Sequence, residues 1–354
     1  MARVSEPAIS VRTLTDGGQS AADVATEVAR FLGAAQRTLE LALYDVRLPS
    51  PVAELVRGAI EDAGRRGVAV RLIYNLDHDR PIAVPPPPLT EAGLIESLTV
   101  PTRAIPGVPD LMHHKFAVRD GRDVWTGSTN WTRDSWEREE NVVVVVTGSP
   151  KLARAYEHDF DELWQTREVA RSGHGDAEPV RVGQALVRAW FTPGHGRELS
   201  HRIAQAIARA RRVRIASPVI TAGPILGTLA QVASDGRTDL AGVLDATQVH
   251  QVVRQWRAGA VPAWKLPALA AALGGGRFSG KRSTPYQPGS VHDYMHAKVT
   301  VCDDTVFCGS FNLSRSGELN AENVLEIEDR ALATRLASFV DEVRARHPTL
   351  ELPA

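Results

Sequence analysis

Cysteine is nearly absent: the 354 residues contain two, Cys302 and Cys308. That excludes the disulfide framework of a small secreted domain, and two thiols alone do not make a zinc site. A turn at Asp303-Asp304 would set Cys302 opposite Thr305 rather than Cys308. Two buried free thiols in a reducing compartment are therefore expected. Long hydrophobic runs are missing as well. The longest strongly apolar stretch, residues 142–146, is far short of the ~20 residues of a spanning helix. The N-terminal MARVSEPAISVRTLTDGGQS has no apolar signal-peptide region. The expectation is a soluble, cytoplasmic protein with no transmembrane segment. Net charge is missing too. The 41 basic and 42 acidic residues leave a formal charge of -1, which excludes a global basic field for nucleic acid but not a local one. The remaining composition, 43% hydrophobic and 23% charged, is that of a globular protein, and the length suits two domains or one duplicated one.

What is present is one polar pattern, twice. His113, Lys115, Asp120, Gly127, Ser128 and Asn130 recur as His296, Lys298, Asp303, Gly309, Ser310 and Asn312. Each copy reads H-x-K-x4-D and then G-S-x-N, in HHKFAVRDGRDVWTGSTN and HAKVTVCDDTVFCGSFN, at an offset of 182 to 183 residues. Ten residues beyond each Asn stands a Glu-Asn pair, Glu140-Asn141 and Glu322-Asn323. Two His-Lys sets at a near-constant offset suggest one active site built from two half-sites.

The repeat extends beyond the motifs. Apolar periodicity predicts helices over 20–36, with Ser20 and Asp23 as its cap, and over 51–66, with strands at 39–44 and 68–74. The second half repeats the order, with helices near 198–211 and 224–233 and strands at 213–217 and 240–245. A loop-rich insert precedes each motif, PIAVPPPPL at 81–89 and GGGRFSGKRSTPYQPGS at 274–290. After each motif come a buried strand, 141–147 in the first half, and a closing helix. The first closing helix starts at Ser149-Pro150, and its twin covers 330–346. Strands alternating with helices argue an α/β sandwich with helices outside a mixed sheet. The polar segment 167–181 is the best linker, which gives an N-terminal lobe over 1–175 and a C-terminal lobe over 176–354.

Alternate residues of a strand share a face. His113 and Lys115 then point one way while His114, Phe116 and Val118 pack; His296 and Lys298 do the same opposite Val299 and Val301. Asp120-Gly121 is a strong hairpin-turn signal and Asp303-Asp304 a weaker one. The returning strands bring Gly-Ser-x-Asn beside each His-Lys face. Two such faces meeting across a pseudo-twofold axis hold a complete set for two-step displacement at phosphorus. One imidazole attacks phosphorus, the other handles protons, and the lysines and Asn amides stabilise the added charge. With these cations built in, neither a metal nor another cofactor is expected. Glu140 and Glu322 are expected to accept from Nδ1 of the histidines.

These residues resemble the signature of the phospholipase D superfamily, over roughly residues 20–346. The resemblance implies a duplicated α-β-α sandwich of two pseudo-twofold-related lobes sharing one active site, complete in a monomer. It implies metal-independent phosphodiester transfer through a phosphohistidine. It places His113, His296, Lys115, Lys298, Asp120, Asp303, Glu140 and Glu322 in the catalytic set, the aspartates more for structure than for chemistry. Ser128, Asn130, Ser310 and Asn312 become substrate-binding residues. Phospholipase D-type hydrolysis or transphosphatidylation of glycerophospholipids is the first expectation, with peripheral membrane contact. A metal-independent nuclease on DNA or RNA is the alternative.

Residues outside the motif divide less sharply. Packing is favoured for His114, Trp125, Trp131 and Trp136, although the last two could line the pocket rim. His292 reads more readily as a loop residue than as part of the pocket mouth. Arg277, Lys281, Arg282 and Tyr286 in the second insert could grip a phosphate backbone or an anionic membrane, or simply be solvated.

Overall fold

The computed structural model describes residues 8–76, 93–259, 261–287 and 290–353. Two mixed sheets carry the chain. The seven-stranded sheet draws on residues 8–147 and runs, in spatial order, Ala8–Leu14, Asn141–Thr147, Asp123–Gly127, Lys115–Arg119, Thr38–Leu43, Ala69–Leu76, Thr102–Pro106. The eight-stranded sheet draws on residues 180–328. After the short edge strand Val180–Val182 it repeats that order as Ala185–Thr192, Glu322–Glu328, Thr305–Gly309, Val299–Cys302, Arg212–Ser217, Asp239–Asp245, Arg277–Lys281. The expected boundary at 175 falls in the connection between the sheets.

Three layers of helix bury the sheet faces. Ala21–Gly33 and Val52–Arg65 cover the outer face of the first sheet through Val24, Phe31, Val56 and Ile60. Ser20 closes the first of these with the expected capping box. Gly196–Arg209 and Gly223–Asp235 cover the second sheet in the same way, through Ile203, Ile207 and Leu226. The helices Pro150–Thr166 and Arg330–Ala345 share the central core, where Phe116, Tyr156 and Phe160 join Phe191, Leu325 and Leu336 in one apolar cluster spanning both halves. That shared cluster fixes the two motifs relative to each other.

Several expectations need correction. The insert at 274–290 contains the edge strand Arg277–Lys281, parallel to Asp239–Asp245. The Gly-rich composition hid it. The strands Ala8–Leu14 and Ala185–Thr192 and the helices Ala246–Ala258 and Lys265–Gly275 were not anticipated at all. The proline-rich insert at 81–89 lies outside the described residues. The cysteines behave as expected: Cys302 pairs with Thr305 across the turn, and both thiols are free and buried.

Candidate active site

Each motif histidine is held by the opposite half. His113 donates its backbone N–H to Ala321 O at 2.9 Å, and His296 donates its own to Glu140 O at 3.2 Å. One residue upstream, Met112 N donates to Asn75 Oδ1 and Met295 N to Asp245 Oδ2, both at 3.0 Å. Asn75 and Asp245 close equivalent strands, and nothing in the motif pattern pointed to either. The lysines fold back alike, each Nζ donating to the carbonyl of its own histidine at 2.6 Å. Lys115 Nζ also lies 4.6 Å from the centre of the Tyr44 ring, which meets His113 edge-on.

The side-chain partners of the histidines break the symmetry. His113 Nδ1 lies 2.7 Å from Glu322 Oε2. His296 Nδ1 lies 3.1 Å from Asn141 Oδ1 and 3.3 Å from Glu139 Oε2. Glu140, expected to orient His296, instead binds Lys281 Nζ at 2.7 Å. The reason is a one-residue slip in the repeat. Ser128 N donates to Val142 O, whereas Ser310 N donates to Asn323 O. In space, Asn141 is therefore the twin of Glu322, and Val142 the twin of Asn323. The extra residue follows the short helix Arg133–Glu137, whose cap Thr132 still matches Ser314. Matching Glu140-Asn141 to Glu322-Asn323 by sequence concealed it, so Glu139 was missed.

The remaining motif residues sort by what they touch. Gly127 and Gly309 are required, since a Cβ on either would lie 2.1 Å from the carbonyl oxygen of Val142 or Asn323. Ser128 Oγ donates to Asn141 Oδ1 at 2.7 Å and accepts from Val142 N, and Ser310 Oγ accepts from Asn323 N. Both serines are buried and hydrogen-bond to the strands that carry the residues orienting the histidines. Asn130 is buried, with its Oδ1 unpartnered among the described residues, while Asn312 is half-buried. Asp120 and Asp303 sit in turns away from the histidines. Asp120 (φ +55°) accepts from the backbone of Gln36, Arg37 and Thr38, and Asp303 (φ +52°) from Arg211 and Arg212. Each pins the start of a neighbouring strand, which is a structural task.

Burial dominates the electrostatics. It pushes His113, His296 and Lys115 well below their ordinary values, and the other cations of the site push the same way. Lys298 is brought to about 7 by burial, against the pull of Glu139 and Glu322. Those two carboxyls are raised to about 7, again by burial first. Two imidazoles and two amines from the two halves thus converge where burial disfavours their charged forms. A nearby anion would favour those charged forms instead.

Outside the motif, His114 is fully buried, with Nε2 2.8 Å from Asp159 Oδ2, and Trp125, Trp131 and Trp136 are buried in packing. His292 is not a plain loop residue. It is buried, stacks on Tyr294 at 5.3 Å and stands 3.4 Å from Arg47. The basic insert loses two of its cations: Arg277 pairs with Asp239, and Lys281 is buried against Glu140 and Asp16.

A family model described as "Cardiolipin synthase, PLD-like domain" matches residues 28–164 and 199–343. The chain belongs to the phospholipase D superfamily. Among curated proteins, it is 36% identical over 142 residues to the mitochondrial cardiolipin hydrolase of Xenopus laevis, covering 40% of this chain and 60% of that one. The human mitochondrial cardiolipin hydrolase is 31% identical over 170 residues, 46% of this chain and 62% of that one. The matches thus span about three fifths of these relatives, and their names place those proteins in mitochondria rather than the cytoplasm. A phosphatidylserine synthase of Haemophilus influenzae Rd KW20 shares the fold with a TM-score of 0.63 over 95% of this chain and 86% of that one, at 14% identity. A polyphosphate kinase of Porphyromonas gingivalis shares it at 0.57 over 98% and 53%, also at 14%. No helix among the described residues of this phospholipase D superfamily member is long and apolar enough to cross a membrane.

Proposed function

We propose that this chain is a metal-independent phosphodiesterase that works through a phosphohistidine at the shared site, with glycerophospholipids as substrates. The observation that carries the reading is the cross-half pairing of His113 with Glu322, beside two lysines and a second imidazole. The Glu322 carboxylate accepts from Nδ1, which leaves the Nε2 lone pair of His113 free to attack phosphorus. A P–N bond forms, the P–O bond to the leaving alcohol breaks, and His296, protonated once the anionic phosphodiester offsets the burial that otherwise keeps it neutral, gives that oxygen its proton. His296 then takes a proton from water or an alcohol, whose oxygen displaces His113. Lys115 and Lys298 stabilise the charge on the phosphoryl oxygens in both steps. The Asn141 amide, nearer to His296 Nδ1 than the Glu139 carboxyl, suits a group that must release its proton.

Lipid is favoured as substrate by the names of the family model and of the relatives, and by the neutral net charge. Burial of Lys281 against Glu140 and pairing of Arg277 with Asp239 weaken the support for nucleic acid. The test is a paired assay in EDTA with wild type and His113→Ala. One arm offers cardiolipin, phosphatidylcholine and phosphatidylglycerol vesicles with ethanol; the other offers labelled DNA and RNA. The reading predicts phosphatidic acid and phosphatidylethanol from the wild type alone. Cleavage confined to nucleic acid would overturn the lipid assignment, and activity that requires added Mg²⁺ would overturn the metal-free mechanism.

A further inference from the structure

A second polar rung crosses the lobe interface directly behind the reactive one. His113 meets Glu322, and the next residues on the same two segments, His114 and Asn323, meet on the opposite face. Asn323 Nδ2 lies 3.1 Å from His114 Nδ1. The amide orientation is fixed, because Asn323 Oδ1 accepts from Thr126 Oγ1 at 2.7 Å and from Tyr156 Oη at 3.4 Å. Nδ2 must then be the donor and His114 Nδ1 the acceptor. The remaining ring nitrogen lies 2.8 Å from Asp159 Oδ2 as a close charge contact without hydrogen-bond alignment, and His114 Nε2 and both Asp159 oxygens have no hydrogen-bond partner among the described residues. All three side chains are buried, so each would be costly to hold there without the others.

The twin of this cluster is apolar. The positions equivalent to His114, Asn323, Asp159, Thr126 and Tyr156 are Ala297, Val142, Phe339, Cys308 and Leu336, all buried. A polar network therefore stands behind His113 and not behind His296.

We propose that Asp159, His114 and Asn323 form a positioning relay that clamps the His113–Glu322 pair in its attacking geometry and gives the two histidines unequal mobility. His113 must hold one line of attack, and the relay ties both of its neighbouring segments across the interface. His296 must serve first the leaving oxygen and then the incoming one, and its apolar backing leaves its ring freer to shift. The relay rests on the phosphodiesterase reading, but its effect on His113 is readable without turnover.

The test uses Asp159→Asn and His114→Gln in the full chain, with ¹⁵N-histidine NMR of His113 and His296 beside steady-state and single-turnover kinetics. Asp159→Asn keeps size and shape, which guards against a His114 variant that fails to fold. The relay predicts kcat reduced by about 10–100-fold with KM unchanged, a displaced pH–rate limb, and altered His113 but unaltered His296 titration. Activity that falls only with the folded fraction, with His113 titrating as in wild type, would overturn it. Should the wild type cleave no phosphodiester at all, the proposed function fails while the NMR comparison still decides the relay.

Discussion

Asn141 stands where symmetry would put a carboxylate, and the proposed mechanism assigns the two histidines different roles on that difference. Nδ1 of His113 has a carboxylate at 2.7 Å, whereas Nδ1 of His296 has the Asn141 amide nearer than the Glu139 carboxyl at 3.3 Å. Replacing Glu322 with Gln should therefore slow phosphorylation of His113 by about 10²–10⁴-fold, measured by rapid quench. Glu140→Gln should instead lower the melting temperature, because it breaks the buried pair with Lys281, and leave the pH–rate profile in place. The site's charges also set a pH signature. Burial holds Lys298 at about 7, against 10.5 in the unfolded chain. Between those values the unfolded chain carries a proton that the empty folded site lacks, so this group's contribution to stability rises with pH through that window. Glu322 and Glu139, raised from 4.5 to about 7, act oppositely, and stability falls as pH rises from 4.5 to 7. A bound oxyanion restores the lysine charge. Orthovanadate should thus raise the melting temperature and be taken up with protons at about pH 8. Calorimetry in buffers of different ionisation enthalpy checks this, and binding without proton uptake would contradict it.

At the scale of elements, the motif aspartates belong to the fold. Asp120→Ala removes the acceptor of three backbone N–H groups and should cost about 1–2 kcal/mol of stability, as a lost helix cap does. Chemical denaturation measures that cost, and the turnover of the folded fraction should change little. The paired strands, the capped helix at Ala21 and the buried run at Asn141–Thr147 were legible because their apolar periods are long and regular. The edge strand Ala8–Leu14 was not, since its Ser10, Arg12 and Thr13 face outward or half-outward and give no alternating apolar signal. Arg277–Lys281 was hidden by its glycines. In the site, His113, Lys115, His296 and Lys298 were legible from their spacing. Glu139 was not, because the register of a strand against its neighbour decides which acid meets His296, and one inserted residue moves every side chain to the other face. Asn75 and Asp245 were invisible for a related reason. They act on backbone N–H groups through contacts between strands far apart in sequence.

For the whole molecule, duplication is what makes the site. Neither half orients its own histidine: Glu322 crosses to His113, and Asn141 with Glu139 crosses to His296. The central helices share one core across both sheets, so the halves are held in one fixed arrangement. His113→Ala and His296→Ala should therefore each abolish turnover almost as fully as the double variant, because groups that act as a unit are not additive. Independent half-sites would instead leave roughly half the activity in each. The most direct test of the account is a quenched single turnover with ³²P-labelled cardiolipin-class substrate, followed by peptide mapping. The account predicts acid-labile, base-stable label on His113, lost in Glu322→Gln and accumulating in His296→Ala with a good leaving group. Label on His296, or product formed with no labelled protein at any quench time, would contradict it.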